Sequence, residues 1–251
     1  MSSNSSINIL GGMPDWNLII HFMNEMDAVE NEVNEPHYNF TSVKTTQAVS
    51  RFKRAITDTF LQFKSPEVKK LLIHSLNKEG LSPENLLLLF WHSSSNNFLL
   101  DYLNEYVFFP AYYSGRVAMS GKEPMLCLKE SGIEEIKEWS DYTLEKVSGK
   151  YLTLLKKFGL MKGRMSKTIV HPYLSDRMFV IFLLWVTQIE TKNNLLLSKW
   201  LKYSFMEPQY LIERLLQKKF VRFFNVTYLG DRLTVEPNFK LKDIFDEPLF
   251  S

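Results

Sequence analysis

Residues 139–173 read WSDYTLEKVSGKYLTLLKKFGLMKGRMSKTIVHPY, and this stretch decides the fold. Ser140 is suited to begin a helix, because its side-chain oxygen can accept hydrogen bonds from the free N–H groups of the first turn. Glycine adopts positive φ at little cost, so Gly159 is predicted to end the helix. Between them, apolar residues recur at spacings of three and four, which predicts one buried helix face. That face consists of Leu144, Val147, Tyr151, Leu154, Leu155 and Phe158.

A short β-hairpin is predicted directly after this helix. Leu160 and Met161 begin one strand, the basic and glycine-containing segment 162–167 forms the turn, and residues 168–170 return as a second strand before Pro172. A long helix followed at once by a basic hairpin is typical of a winged helix-turn-helix.

Two short helices are predicted upstream, at residues 123–131 and 132–138. A helix-turn-helix places such helices before its recognition helix. Trp139 is predicted to plug the small core that the three helices enclose. Residues 121–175 are therefore predicted to form a winged helix-turn-helix.

The outward side of the long helix and the hairpin turn are rich in Lys and Arg. Residues 140–175 contain seven Lys or Arg and two acidic residues, a net charge of +5. Positive charge directed away from the core is what phosphate binding requires, although an ordinary solvated helix surface is the alternative. The predicted DNA-binding residues are Tyr142, Thr143, Lys146, Lys150, Lys156, Lys157, Lys162, Arg164 and Lys167.

Base reading is assigned to the start of the long helix, since recognition helices enter the groove with their N-terminal residues. Tyr142 and Thr143 are the two residues placed to reach base edges there. Neither Arg nor Asn or Gln stands beside them, so sharp sequence specificity is not expected.

The whole chain is predicted to be mainly α and to comprise three parts. Residues 1–120 form a helical bundle with an acidic head, residues 121–175 form the winged helix-turn-helix, and residues 176–251 form helices that end in a β-hairpin. The last hairpin, which turns at Gly230-Asp231, has two interpretations: a second, degenerate winged-helix unit or a plain closing hairpin.

The N-terminal 35 residues have an unusual charge. They contain six acidic residues and no Lys or Arg, whereas the remaining chain holds 30 basic and 22 acidic residues, a net charge of +8. Residues 1–12 are rich in Ser, Asn and Gly and are expected to be mobile. Apolar residues at helical spacing, among them Trp16, Ile19 and Met23, favour a packed helix. The competing hypothesis is a loose acidic segment that competes with DNA for the basic surface.

No motif of an enzyme or a metal site is present in the sequence. It lacks a phosphate-binding loop, a dinucleotide fingerprint, a zinc-protease motif and paired cysteines, so no catalytic residue, metal or cofactor is predicted. The single cysteine, Cys127, and the absence of an export signal fit a cytoplasmic protein. The apolar run at 178–189 is too short to span a membrane, so it is predicted to be a buried helix.

Several segments of the chain resemble the BrxA family of BREX phage-defence systems. They are LLLLFWHSSSNNFLLDYLNEYV (86–107), WSDYTLEKVSGKYLTLLKKFGLM (139–161), IVHPYL (169–174) and FFNVTYLGDRLTVEP (223–237). The resemblance extends over about residues 40–237 and leaves out the acidic head. It is strongest at Trp139, Ser140, Thr143 and Gly159-Leu160.

The resemblance implies a small, largely helical, non-enzymatic protein of winged-helix character. Such a protein binds DNA and works beside the methyltransferase, ATPase and phosphatase-like components of the system. The leading hypothesis is therefore a cytoplasmic, double-stranded-DNA-binding accessory protein, with other BREX components as partners and no membrane association. The alternative is a protein-interaction scaffold whose winged-helix and hairpin surfaces contact other defence components.

Overall fold

The computed structural model describes residues 3–30, 45–76, 81–164, 167–190 and 194–238. The α-helices are α1 (Ser3–Gly12), α2 (Asn17–Glu30), α3 (Thr46–Phe60), α4 (Pro66–Leu76), α5 (Pro83–Asn96), α6 (Phe98–Leu103), α7 (Phe109–Tyr113), α8 (Lys122–Lys129), α9 (Glu134–Lys137), α10 (Asp141–Lys157), α11 (Asp176–Ile189), α12 (Pro208–Leu215) and α13 (Lys218–Val221). The strands are β1 (Ala118–Met119), β2 (Met161–Lys162), β3 (Lys167–Ile169), β4 (Phe224–Leu229) and β5 (Arg232–Pro237). A π-helical segment covers Asn104–Phe108, and 3-10 helices cover Leu195–Leu197 and Lys199–Ser204.

The chain divides into two compact units. The first comprises residues 1–62 and 76–171, and the second comprises residues 63–75 and 172–251. The boundary predicted after residue 120 falls inside the first unit, whereas the boundary predicted after residue 175 falls close to a boundary between the units. The prediction of a mainly helical fold is confirmed.

The core of the first unit is built around α5 and α10. Leu88, Phe90 and Trp91 of α5 are buried, as its nearly continuous apolar sequence requires. A buried polar network joins the two helices through the π-helical segment. The Asn104 side chain donates to the Ser94 hydroxyl over 2.9 Å and accepts from the Tyr151 hydroxyl over 3.0 Å.

The predicted limits and buried face of α10 are confirmed. The Ser140 hydroxyl accepts a hydrogen bond from the backbone N–H of Thr143 over 3.3 Å, so Ser140 is the N-cap. At the other end Gly159 has φ 78°, a conformation that is costly for side chains with a Cβ. All six residues predicted to form the apolar face are buried. Trp139 was expected to be a core plug but is only half-buried, because it lies at the surface between α9 and the cap of α10.

A small antiparallel sheet follows α10 and has the strand order β1-β3-β2. In the β2–β3 pair Met161 lies opposite Ile169, which confirms the predicted hairpin. The additional strand β1 places Ala118 opposite Thr168. The strand β1 has only two residues, which is too short to show a recognisable alternation of apolar and polar side chains. The sequence therefore did not reveal it.

The N-terminal segment is packed, and of residues 1–12, which were expected to be mobile, the described residues 3–12 form the helix α1. Ile7 and Leu10 of α1 are fully buried, so the polar composition of this segment concealed an apolar face. Trp16 follows α1 and packs edge-on against Phe158 and Phe60, with ring centroids 4.8 and 6.0 Å away. The packed hypothesis is therefore the one that the described residues bear out. Glu32 and Glu35, also counted in the acidic head, lie outside them.

The second unit surrounds α11, which is buried as predicted from Met178 to Val186. Within the described chain, no helix combines the length and the apolar character needed to cross a bilayer. The predicted C-terminal hairpin is present, with β4 and β5 joined through Gly230 at φ 62°. Its first strand begins at Phe224, shortly after α13 ends at Val221. Among the described residues this sheet has two strands, which favours the plain hairpin.

We expect Trp16→Ala to lower the free energy of unfolding by about 3–5 kcal/mol, the range for truncating a buried aromatic residue. The comparison variant is Trp139→Ala, which removes the same side chain from a half-buried position and should have a smaller effect. Urea denaturation followed by circular dichroism measures both. Equal losses in the two variants would contradict the packed position of the N-terminal segment.

Candidate nucleic-acid interface

The N-terminal half of α10 presents Tyr142 and Lys146 to solvent. Tyr142 is 72% exposed, and the Lys146 ammonium lies 6.0 Å from the centroid of its ring. Thr143 is half-buried, and its hydroxyl lies 3.1 Å from the Ser140 hydroxyl within the helix cap. Of the two predicted base readers, only Tyr142 therefore projects freely from the start of the helix.

Lys150 and Lys157 lie on the side of α10 that packs against α1. A Cβ atom placed on Gly11 would come within 2.9 Å of both the Cβ atom and the backbone oxygen of Lys150. The Lys150 ammonium would lie 3.5 Å from a Cβ atom placed on Gly12. The two helices consequently approach each other so closely that Gly11 has no room for a side chain.

Lys157 is bound to the carboxyl end of α1. Its ammonium donates hydrogen bonds to the backbone oxygen of Leu10, over 3.1 Å, and to that of Met13. It also lies 5.8 Å from the centroid of the Trp16 ring. The last carbonyl groups of a helix lack intrahelical partners and carry partial negative charge, so a lysine is favourable there. Burial, and secondarily the charge of Lys150, lowers the pKa of Lys157 to about 8.

The C-terminal end of α10 and the β2–β3 hairpin bring four basic residues to one region of the first unit. Lys156, Lys162 and Arg164 are exposed, and Lys167 is half-buried. Partial burial and the nearby charge of Lys156 both lower the pKa of Lys167, which places these two side chains within electrostatic range of each other. We call Lys156, Lys162, Arg164 and Lys167 the wing cluster. Residues 165 and 166 of the predicted turn lie outside the described residues.

Acidic residues modify the electrostatics at the other end of α10. Asp141 pairs with Lys129 over 3.1 Å, and Glu145 is exposed one turn further along. The net charge of +5 predicted for residues 140–175 is thus unevenly distributed. Positive charge is concentrated at the wing cluster, whereas the start of α10 carries charges of both signs.

Comparison with known proteins gives one family. The BrxA family model matches residues 19–182, which is more than half of the chain. The chain belongs to the BrxA family. This membership relates it to BREX phage-defence systems. No curated protein and no solved structure gave a significant match.

The matched region of this BrxA-family chain begins in α2 and ends in α11. It includes α10, the β2–β3 hairpin and the strand β1. The resemblance recognised in the sequence from about residue 40 therefore begins too late, because the acidic residues of α2 belong to the matched region as well.

The sequence did not reveal that two lysines of the predicted DNA-binding set, Lys150 and Lys157, lie against α1. Two signals were present: the Gly11-Gly12 pair, which permits close helix packing, and the absence of Lys and Arg from residues 1–35. A helix end without basic residues of its own can be neutralised by lysines from another helix. Neither signal identifies α10 as the partner, because the two helices are far apart in the sequence.

We expect the lowered pKa of Lys157 to make the free energy of unfolding of the BrxA-family chain depend on pH. The ordinary lysine pKa of about 10.4 applies to the unfolded chain, so between about pH 8 and 10.4 the unfolded state binds more protons than the folded state. The free energy of unfolding of the natural chain, relative to Lys157→Met, should therefore rise with pH across this interval and stay level below it.

Urea denaturation at a series of pH values measures this difference, and NMR titration of the lysine side chains measures the pKa directly. The exposed Lys162→Met change controls for the general loss of a lysine charge. A difference between the natural chain and Lys157→Met that stays constant from about pH 8 to 10.4 would show that the pKa of Lys157 is not lowered in the folded chain.

Proposed function

We propose that this BrxA-family protein is a non-enzymatic, double-stranded-DNA-binding accessory component of a BREX phage-defence system. It uses neither a metal nor a cofactor, acts in the cytoplasm and has other BREX components as partners. Its DNA-binding element is a winged helix-turn-helix in residues 118–169, with α10 as the recognition helix and the β2–β3 hairpin as the wing.

The order of elements around α10 carries this proposal. The helices α8 and α9 precede α10, the β2–β3 hairpin follows it, and β1 completes the sheet in the order β1-β3-β2. Short helices before a long helix, with a hairpin directly after it, are typical of winged-helix DNA-binding proteins. In these proteins the recognition helix enters the major groove and positions its N-terminal residues near the bases.

The charges support contacts with phosphate groups more than contacts with bases. The wing cluster supplies four cations on a continuous part of the chain, where they can replace counterions along the duplex. The first turn of α10 presents Tyr142 beside the ion-paired Asp141, with no Arg, Asn or Gln to form a bidentate contact. We therefore propose binding with weak sequence preference.

Lys150 and Lys157 have a supporting role in this proposal. Their side chains lie against α1, and Lys157 donates to two backbone oxygens of the N-terminal segment. If Lys157 bound a phosphate group instead, that contact would have to replace the hydrogen bonds that its ammonium donates to Leu10 and Met13. These two lysines therefore join α10 to α1, and the phosphate contacts fall to the wing cluster and Lys146.

A protein-interaction scaffold is the second candidate function, and an exposed aromatic row favours it. Phe98 and Tyr106 are each 62% exposed, and Tyr102 lies between them with ring centroids 6.1 and 4.7 Å away. Leu126 of α8 is also 55% exposed. Exposed apolar residues that cluster in this way are common where proteins bind one another.

We expect the double variant Lys162→Glu and Arg164→Glu to weaken binding to a mixed-sequence duplex of about 20 base pairs by roughly tenfold or more at low salt. Removing two phosphate-binding side chains should also make the dependence of log K on log salt shallower by about 2. Fluorescence anisotropy over a salt series measures both quantities.

The matched control is the double variant Lys70→Glu and Lys218→Glu, which changes the net charge equally at two exposed lysines of the second unit. The control should bind DNA nearly as well as the natural chain. Equal weakening in the two double variants would mean that overall charge, and not the wing, governs binding. A natural chain that fails to bind duplex even at the lowest salt would favour the scaffold.

A further inference from the structure

Gly149 occupies the middle of the solvent-exposed side of α10. This helix has 17 residues, running from Asp141 to Lys157. Glycine is unfavourable in a helix interior, because it has the most conformational freedom to lose and leaves the backbone open to water. A glycine at this position therefore calls for a specific explanation.

Neither of the usual structural explanations applies to Gly149. Packing requires glycine at Gly11, where a Cβ atom would meet Lys150 at 2.9 Å, but among the described residues a Cβ atom on Gly149 would have no neighbour within 4 Å. Conformation requires glycine at Gly159, which has φ 78°, whereas Gly149 is not among the glycines with positive φ. Neither the packing nor the backbone conformation of the described residues requires a glycine here.

The residues around Gly149 form a notch between two lysines. Lys146 is exposed almost one turn before Gly149, and Lys156 is exposed two turns after it. Thr153 lies one turn after Gly149, and its hydroxyl donates to the Gly149 backbone oxygen over 2.8 Å. That hydrogen bond holds the Thr153 hydroxyl against the helix. The notch is thus bordered along the helix by Lys146 and the exposed Glu145 on one side and by Thr153 and Lys156 on the other.

The position of the notch fits the edge of the major groove. With a rise of about 1.5 Å per residue, Gly149 lies about 10 Å along the axis from Tyr142, and the major groove is about 12 Å wide. If Tyr142 is inside the groove, Gly149 lies near the place where α10 leaves it and crosses a phosphate strand.

We propose that Gly149 is the point of closest approach between α10 and the sugar–phosphate backbone of double-stranded DNA. The missing side chain lets the strand lie directly on the helix, between Lys146 and Lys156, whose ammonium groups can each neutralise a phosphate group. This inference rests on the proposed DNA-binding function. It adds that Gly149 determines how closely α10 approaches the duplex.

The test compares stability and DNA affinity for substitutions at this one position. Gly149→Ala should raise the melting temperature by about 2–4 °C, since alanine is the better helix former and nothing in the described structure obstructs its methyl group. The same change should weaken binding to the duplex, and Gly149→Leu should weaken it further. Because the larger side chain holds one phosphate group away from its lysine, Gly149→Leu should reduce the salt dependence of log K by about 1.

The variant Gly149→Lys distinguishes an effect of close approach on DNA affinity from an effect of charge. It adds a positive charge to the same surface, so attraction alone would strengthen binding to DNA. Close approach requires that binding stays the same or weakens. Tighter binding by Gly149→Lys, or unchanged binding by Gly149→Leu, would overturn the inference while leaving the DNA-binding function intact. Failure of the natural chain to bind duplex would instead overturn the proposed function.

Discussion

A buried hydrogen-bond network fixes the helix on which the rest of the first unit depends. The Tyr151 hydroxyl donates to the Asn104 side chain, which in turn donates to Ser94 of α5. Burial raises the pKa of Tyr151 well above its usual range, so its hydroxyl keeps the proton that this donation requires. In an apolar core an unpaired polar group is costly, and this network therefore favours a single orientation of α10 about its axis. That orientation determines which lysines face α1 and which face solvent.

The role of each basic residue in this molecule depends on its position in the fold. Residues 140–175 carry seven basic side chains, yet Lys157 neutralises the carboxyl end of α1, and Lys150 packs on Gly11. The same type of side chain thus contacts α1 at Lys150 and Lys157 and is largely exposed in the wing cluster. A net charge counted along the sequence overestimates the surface that can meet a phosphate backbone.

Membership of the BrxA family relates the chain to BREX phage defence, and the order of elements around α10 is what supports the proposed DNA-binding role. The family match extends from α2 to α11 and so includes the helix, the hairpin and the third strand. The N-terminal acidic segment belongs to this architecture as a packed support of α10. Among its apolar residues, Trp16 packs edge-on against Phe158 at the end of α10.

The sequence by itself determined the elements whose signals are local. The Ser140 cap, the apolar spacing of α10, the stop at Gly159 and the turn at Gly230 depend on residues within a few positions of one another, and all four were predicted correctly. The resemblance to the BrxA family also followed from the sequence. Only the tertiary structure decided that α1 packs on α10, that β1 joins the sheet and that Trp139 lies near the surface. Each of these depends on contacts between distant segments, whose free energy comes from the shape and burial of both partners. A single stretch of sequence contains only one of the two surfaces.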